Sequence, residues 1–156
     1  MTVGSFRRSG FTLIELLVTV LVVVVLSTIA IPGFYNMIKS NRLAADYNEI
    51  LATLNYARSE AVKRRINITT VVAPVDSACP SSNSVWKVCV NASGALGTLR
   101  VSEGQDDLVS ISGPSFVVFN SLGRRASCDG VNPCRLEVIA GEDAKTIEIS
   151  ASGSIN

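Results

Sequence analysis

The chain has 156 residues, with 14 Lys and Arg against 13 Asp and Glu, a formal charge of +1 and no histidine. That balance does not indicate a general nucleic-acid binder, and the lack of imidazole removes the commonest metal ligand and the commonest general base at neutral pH. The length allows one globular domain and a long helix. The apolar fraction of 47% is inflated by a single N-terminal segment, and the remainder reads as an ordinary soluble domain.

The first ten residues form a short leader with Arg7 and Arg8, ending in Ser9-Gly10. Residues 11–31 follow at once as an apolar run with one charge, Glu15. A helix of about 20 apolar residues crosses a bilayer core, and arginines before it hold the N-terminus on the cytoplasmic side. A carboxylate inside such a run costs roughly 2.5–3.5 kcal/mol on insertion scales and marks a functional position. A secretory signal would carry its small-residue cleavage site after the apolar core, whereas here Ser9-Gly10 precedes it. A plain anchor explains the length and the arginines but gives Glu15 no role.

Pro32-Gly33 is expected to bend or loosen the helix. A helical period then resumes: Leu43, Tyr47, Ile50, Leu54, Ala57 and Ala61 follow 4-3-4-3-4 spacing and form one stripe, with Arg42, Asp46, Glu49 and Glu60 mostly off it. One helix from residue 11 to about residue 64 would be about 80 Å long at 1.5 Å per residue. Ser59-Glu60 reads as a solvated helix face. The cations Lys63, Arg64 and Arg65 complement the dipole at the helix end.

Beyond residue 65 the pattern turns to short strands at 66–72, 85–90, 97–101, 108–112, 116–120, 135–139 and 146–150, separated by Gly, Ser, Asn and Asp. The last alternates cleanly, with Ile147 and Ile149 on one face. An amphipathic helix followed by strands predicts an α+β domain, its antiparallel sheet wrapped on the helix stripe. Cys79, Cys89, Cys128 and Cys134 all follow the apolar run, so the orientation set by Arg7 and Arg8 puts them in an oxidising compartment. Three connectivities are open. Cys79–Cys89 and Cys128–Cys134 are favoured because each pair brackets a turn-rich stretch, Pro80-Ser81-Ser82-Asn83 in one and Asp129-Gly130 with Asn132-Pro133 in the other. A zinc site is the weaker alternative: neither spacing is C-x₂-C and no histidine assists. No nucleophile, base, metal or cofactor constellation is visible, and Asp106-Asp107 reads as a loop; the chain is not expected to be an enzyme.

Gly10-Phe11-Thr12-Leu13-Ile14-Glu15-Leu16 closely resembles the processing site of type IV prepilins and pseudopilins. The resemblance implies cleavage by a prepilin peptidase between Gly10 and Phe11, then N-methylation of Phe11. It gives Glu15 a role: in an apolar filament core its carboxylate would pair with the cationic amine on Phe11 of a neighbouring subunit and set axial register. Loss of Arg7 and Arg8 with the leader leaves a side-chain charge of −1.

Residues 54–65, Leu-Asn-Tyr-Ala-Arg-Ser-Glu-Ala-Val-Lys-Arg-Arg, resemble the helix-end signature of the GspH/FimT/FimU group of minor pilins and pseudopilins. Phe119-Asn120-Ser121-Leu122-Gly123-Arg124 resembles the group's F-x-x-x-G strand and turn, and residues 147–155 its closing strand and turn. Residues 66–115 carry no family pattern.

The resemblance implies a type IV pilin fold divided as a cleaved leader (1–10), a transmembrane or filament-core helix (11–35), an amphipathic helix half (36–65) and a β-rich headgroup (66–156). It implies other minor and major pilins, or pseudopilins, as partners, with the inner membrane as the location before assembly and the periplasm and cell surface after it. The leading reading is a minor pilin that primes assembly near the filament tip; the alternatives are a GspH-like pseudopilin of type II secretion and a DNA-binding competence pilin. DNA binding in the group uses a Gly-Arg-x-Arg motif, where this chain has Ser152-Gly153-Ser154-Ile155-Asn156 and lacks both arginines. Arg124 and Arg125, with Arg135 on a shared surface, are the remaining DNA candidates, a weak electrostatic footprint.

Overall fold

The computed structural model describes residues 11–72, 79, 84–93, 97–104 and 107–156. The leader with Arg7, Arg8, Ser9 and Gly10, the turn residues 80–83, and Asp106 lie outside them. Helix α1 spans Leu13–Arg64 and is helical through Pro32 and Gly33. It contributes to two compact units, one ending at Ile38 and the other running from Lys39 to Asn156.

In the first unit α1 is apolar all round, and its large side chains from Leu13 to Ile38 are exposed. The second unit begins with the amphipathic half of α1 and continues, among the described residues, as eight strands. These are β1 (Ile68–Val72), β2 (Trp86–Ala92), β3 (Thr98–Gly104), β4 (Ser110–Ser112), β5 (Phe116–Phe119), β6 (Arg125–Ser127), β7 (Cys134–Ala140) and β8 (Asp143–Ile149).

All pairings are antiparallel, as expected, and among the described residues the strands fall into two sheets: five strands in the order β3-β2-β1-β5-β6 and three in the order β4-β7-β8. The expected strand at 108–112 shortens to β4. β6 is a strand the sequence did not announce, because Arg-Ala-Ser carries no apolar alternation.

One core joins the helix to both sheets. Leu43, Ile50, Leu54, Ala57 and Ala61 of α1 meet Ile68, Val88, Val90, Val117 and Phe119 of the larger sheet and Leu136, Val138, Ile147 and Ile149 of the smaller. Tyr47, the remaining stripe residue, packs at the rim of this core and lies under Lys145 Nζ, 5.3 Å from its ring centroid. β2 is buried on both faces: Trp86, Val88 and Val90 point to the helix, while Cys89 joins Val71 and Cys79 in a small cluster on the other side.

Cys79 is bonded to Cys89 and Cys128 to Cys134, with no free cysteine. Trp86 lies across Gly104, its cross-strand neighbour, where an added Cβ would overlap the indole. Its Nε1–H donates to Asp46 Oδ2 at 3.0 Å, so the polar atom of a buried tryptophan is satisfied from the helix.

Candidate functional site

Two regions hold the candidate residues, one at the start of α1 and one where its end meets the β5–β6 turn. At the start, Thr12 Oγ1 accepts the Glu15 N–H at 3.3 Å, and Leu16 N–H donates to Thr12 O at 3.2 Å. Thr12 is therefore an N-cap, and Glu15 stands three residues on, at the sequence spacing of a capping box. The same residues that form the processing motif thus start the helix, and Glu15 lies in its first turn, where negative charge complements the dipole.

Phe11 is 82% exposed, the Glu15 carboxylate is exposed, and it has no cationic partner among the described residues. The apolar surface from Leu13 to Met37 continues without an intervening charge beyond Glu15. A helix this apolar and this long can cross a membrane or sit among like helices. Alone in water it would be an aggregation site.

At the other end, three segments separated in sequence converge. Arg58 of α1 donates its Nε–H to Gly123 O at 3.0 Å. A Cβ at Gly123 would lie 2.9 Å from Val62 Cγ2, so the β5–β6 turn rests directly on the helix. Gly153, in the C-terminal turn, approaches Gly123 from another side: a Cβ there would overlap the Gly123 carbonyl and lie 3.2 Å from Arg124 Cα. Both glycines have positive φ, 71° and 85°, which favours Gly for conformation as well as for space. The C-terminal turn is held by reciprocal backbone bonds between Glu148 and Asn156 and by an Ile149–Ile155 bridge.

The three arginines lie on different elements. Arg124 is exposed at the turn and Arg125 is half-buried at the start of β6, on the edge of the larger sheet. Arg135 lies on β7, the central strand of the smaller sheet, and its Nε–H donates to Glu148 Oε2 at 3.1 Å. Its charge is already matched across the strand pair.

Sequence reasoning placed Glu60 on a solvated helix face, and the structure corrects this. Its side chain is only 7% exposed and is held by Arg64 Nε and Lys63 Nζ, the latter at 3.3 Å. The Arg64 hydrogen bond, with that from Lys63, keeps the carboxyl below the ordinary range despite burial. Glu49 was also missed as a contact: Arg100 Nη2 and Ser102 Oγ of β3 both donate to its Oε1 at 2.8 Å. The i,i+3 and i,i+4 spacing of Glu60 to Lys63 and Arg64 was readable; the partners of Glu49, more than 50 residues away, were not.

Among the described residues no cluster of His, Cys, Asp or Glu could hold a metal ion.

The family described as "Type II transport protein GspH" matches residues 46–153, from the amphipathic helix to the C-terminal turn. The chain belongs to the GspH family. A second match, to the prokaryotic N-terminal methylation motif, covers residues 5–31. The GspH fold is shared with a crystal structure of the type IV minor pilin FimU of Pseudomonas aeruginosa (strain PAO1) in space group P21: TM-score 0.55, 20% identity, 74% of this chain and 87% of FimU covered. A second FimU crystal form, P65, gives 0.49, 22%, 70% and 86%. No curated protein matches by sequence.

This GspH-family chain is thus a minor pilin or pseudopilin, a structural and non-enzymatic subunit of a type IV pilus or a type II secretion system. Its apolar helix and methylation motif are those of an inner-membrane prepilin.

Proposed function

We propose that the chain is a minor pilin that primes type IV pilus assembly and enters the filament at or near its tip. The observation that carries this reading is the union of a wholly exposed apolar helix bearing one carboxylate, Glu15, with a headgroup of the FimU fold. Prepilin peptidase would cut between Gly10 and Phe11, and Phe11 would be N-methylated. Before assembly the chain spans the inner membrane once with its N-terminus cytoplasmic; afterwards it lies in the periplasm and the surface pilus. In the filament, residues 11–35 take the place of lipid contacts with contacts to other subunits' helices. Glu15 then pairs with the neighbouring Phe11 amine, because either charge left unpaired in that core is costly. Pro32 and Gly33 supply the point at which the helix can bend.

The family description, a type II transport protein, favours a second reading, a pseudopilin of a type II secretion system with the same processing and helix. The deciding experiment is a surface-pilus count in a strain lacking the chain, alongside secretion of a type II substrate. Loss of pili with intact secretion is expected; normal pili with failed secretion would transfer the protein to the secretion system. Unchanged pili and secretion, with a loss of transformation, would instead favour DNA uptake through Arg124 and Arg125.

A further inference from the structure

The β5–β6 turn presents an exposed leucine on a backbone that is unusually well fixed. Leu122 is 72% exposed. Asn120 Oδ1 accepts the N–H groups of both Leu122 and Arg124 at 3.0 Å, Gly123 N–H donates to Asn120 O at 2.8 Å, and Asn120 N–H donates to Arg124 O at 2.9 Å. Arg58 holds the Gly123 carbonyl from the helix and Gly153 closes against it from the C-terminal turn. These contacts order the turn without burying Leu122. An apolar side chain on a pre-ordered backbone loses little further entropy on docking, which is the property of a binding anchor.

The surroundings give the partner's chemistry. Val62, 49% exposed, lies against Gly123 and extends the apolar centre. Arg124 and Arg125 follow Leu122 after Gly123, and Arg65 lies three positions beyond Val62, just past the helix end, with φ at 58°. Arg65, Arg124 and Arg125 have no carboxylate partner among the described residues. The nearby carboxylate on the helix, Glu60, is already held by Lys63 and Arg64.

We infer that Leu122 and Val62, rimmed by Arg65, Arg124 and Arg125, dock into an apolar pocket edged by carboxylates on a different subunit of the same filament. The inference rests on the filament reading above and adds the contact surface. Nucleic acid fits less well: a duplex exterior offers no apolar pocket for Leu122, and three arginines neutralise few phosphates.

The test uses the full-length chain in its host with the photo-crosslinker p-benzoylphenylalanine in place of Leu122, and a second version with it in place of Val20 on the apolar helix. The expected result at 122 is a discrete adduct with another protein that carries a prepilin N-terminus, joined at a segment containing Asp or Glu. The adduct should fall about tenfold or more with Arg124→Glu and Arg125→Glu. Fluorescence of Trp86, the single tryptophan and a core residue, confirms that these variants are folded. An adduct with DNA, an adduct with a second copy of this chain, or an adduct indifferent to the arginine changes would overturn the inference. So would no adduct at 122 while the position-20 version crosslinks to other subunits, an outcome that leaves the filament reading standing. Absence of adducts at both positions would remove both.

Discussion

Glu15 and Gly153 show two ways in which a single residue depends on what surrounds it. Glu15 donates its backbone N–H to the Thr12 cap, while its carboxylate stays exposed in an apolar stretch. In the proposed filament its charge would be matched by the Phe11 amine of a neighbouring subunit. Glu15→Ala should still insert and be processed, since the change makes the segment more apolar. Breaking a buried pair costs about 3–5 kcal/mol, and 1.4 kcal/mol is tenfold, so filament-associated protein should fall by tenfold at the least. Quantifying the subunit in sheared filaments checks this, and normal incorporation would remove the pairing account. Gly153 is constrained inside the chain. Gly153→Ala would place a Cβ against the Gly123 carbonyl at a backbone with φ of 85°, and both obstacles are main chain. A loss of about 1–3 kcal/mol is expected from the strained conformation alone, read as a fall in the denaturant midpoint of the detergent-solubilised chain.

At the scale of elements, the amphipathic half of α1 is fastened by its flanks as well as by its stripe. Beside the buried Ile50 and Leu54, Asp46 holds Trp86 of β2, Glu49 holds Arg100 and Ser102 of β3, and Thr53 shares a 2.7 Å hydrogen bond with Ser102. β3 is an edge strand of the larger sheet, and these bonds, with Arg100 lying 5.6 Å from the Tyr56 ring centroid, tie that edge to the helix. The Ser102 hydrogen bond, then that of Arg100, holds the Glu49 carboxyl below the ordinary range. A lowered folded-state pKa means that the unfolded chain takes up the proton first as pH falls. The contribution is therefore present above the ordinary carboxylate range and is lost as pH falls through the lowered value. Glu49→Gln should cost about 0.2–1 kcal/mol at neutral pH, the usual worth of a part-exposed pair. Its stability should also decline less steeply than wild type below about pH 4.3. Parallel slopes in acid, followed by Trp86 fluorescence, would contradict the assignment.

For the whole molecule, the amphipathic half of the helix, both sheets and the Cys128–Cys134 disulfide share one core, while Cys79–Cys89 lies in the small cluster on the other side of β2. The disulfides close short loops, with sequence separations of 10 and 6, and chain-entropy arguments give roughly 2–3 kcal/mol for each. Reduction should lower the denaturant midpoint by an amount equivalent to about 4–6 kcal/mol in total if the two are independent. A midpoint unchanged by reductant would show that the core alone holds the headgroup. Much of this architecture was legible in advance. The apolar run, the lone Glu15, the 4-3-4-3-4 stripe and most strand positions are local patterns, written in side-chain period and composition, and they determined the membrane-competent helix, the amphipathic half and the α+β class. What the tertiary structure alone decided was everything that depends on contacts between distant segments. It divided the strands into two sheets, paired Arg135 with Glu148, and seated Gly123 between Arg58 and Gly153. The physical reason is that periodicity records which face of an element avoids water, while pairing partners and close backbone approaches are chosen only when the chain closes on itself.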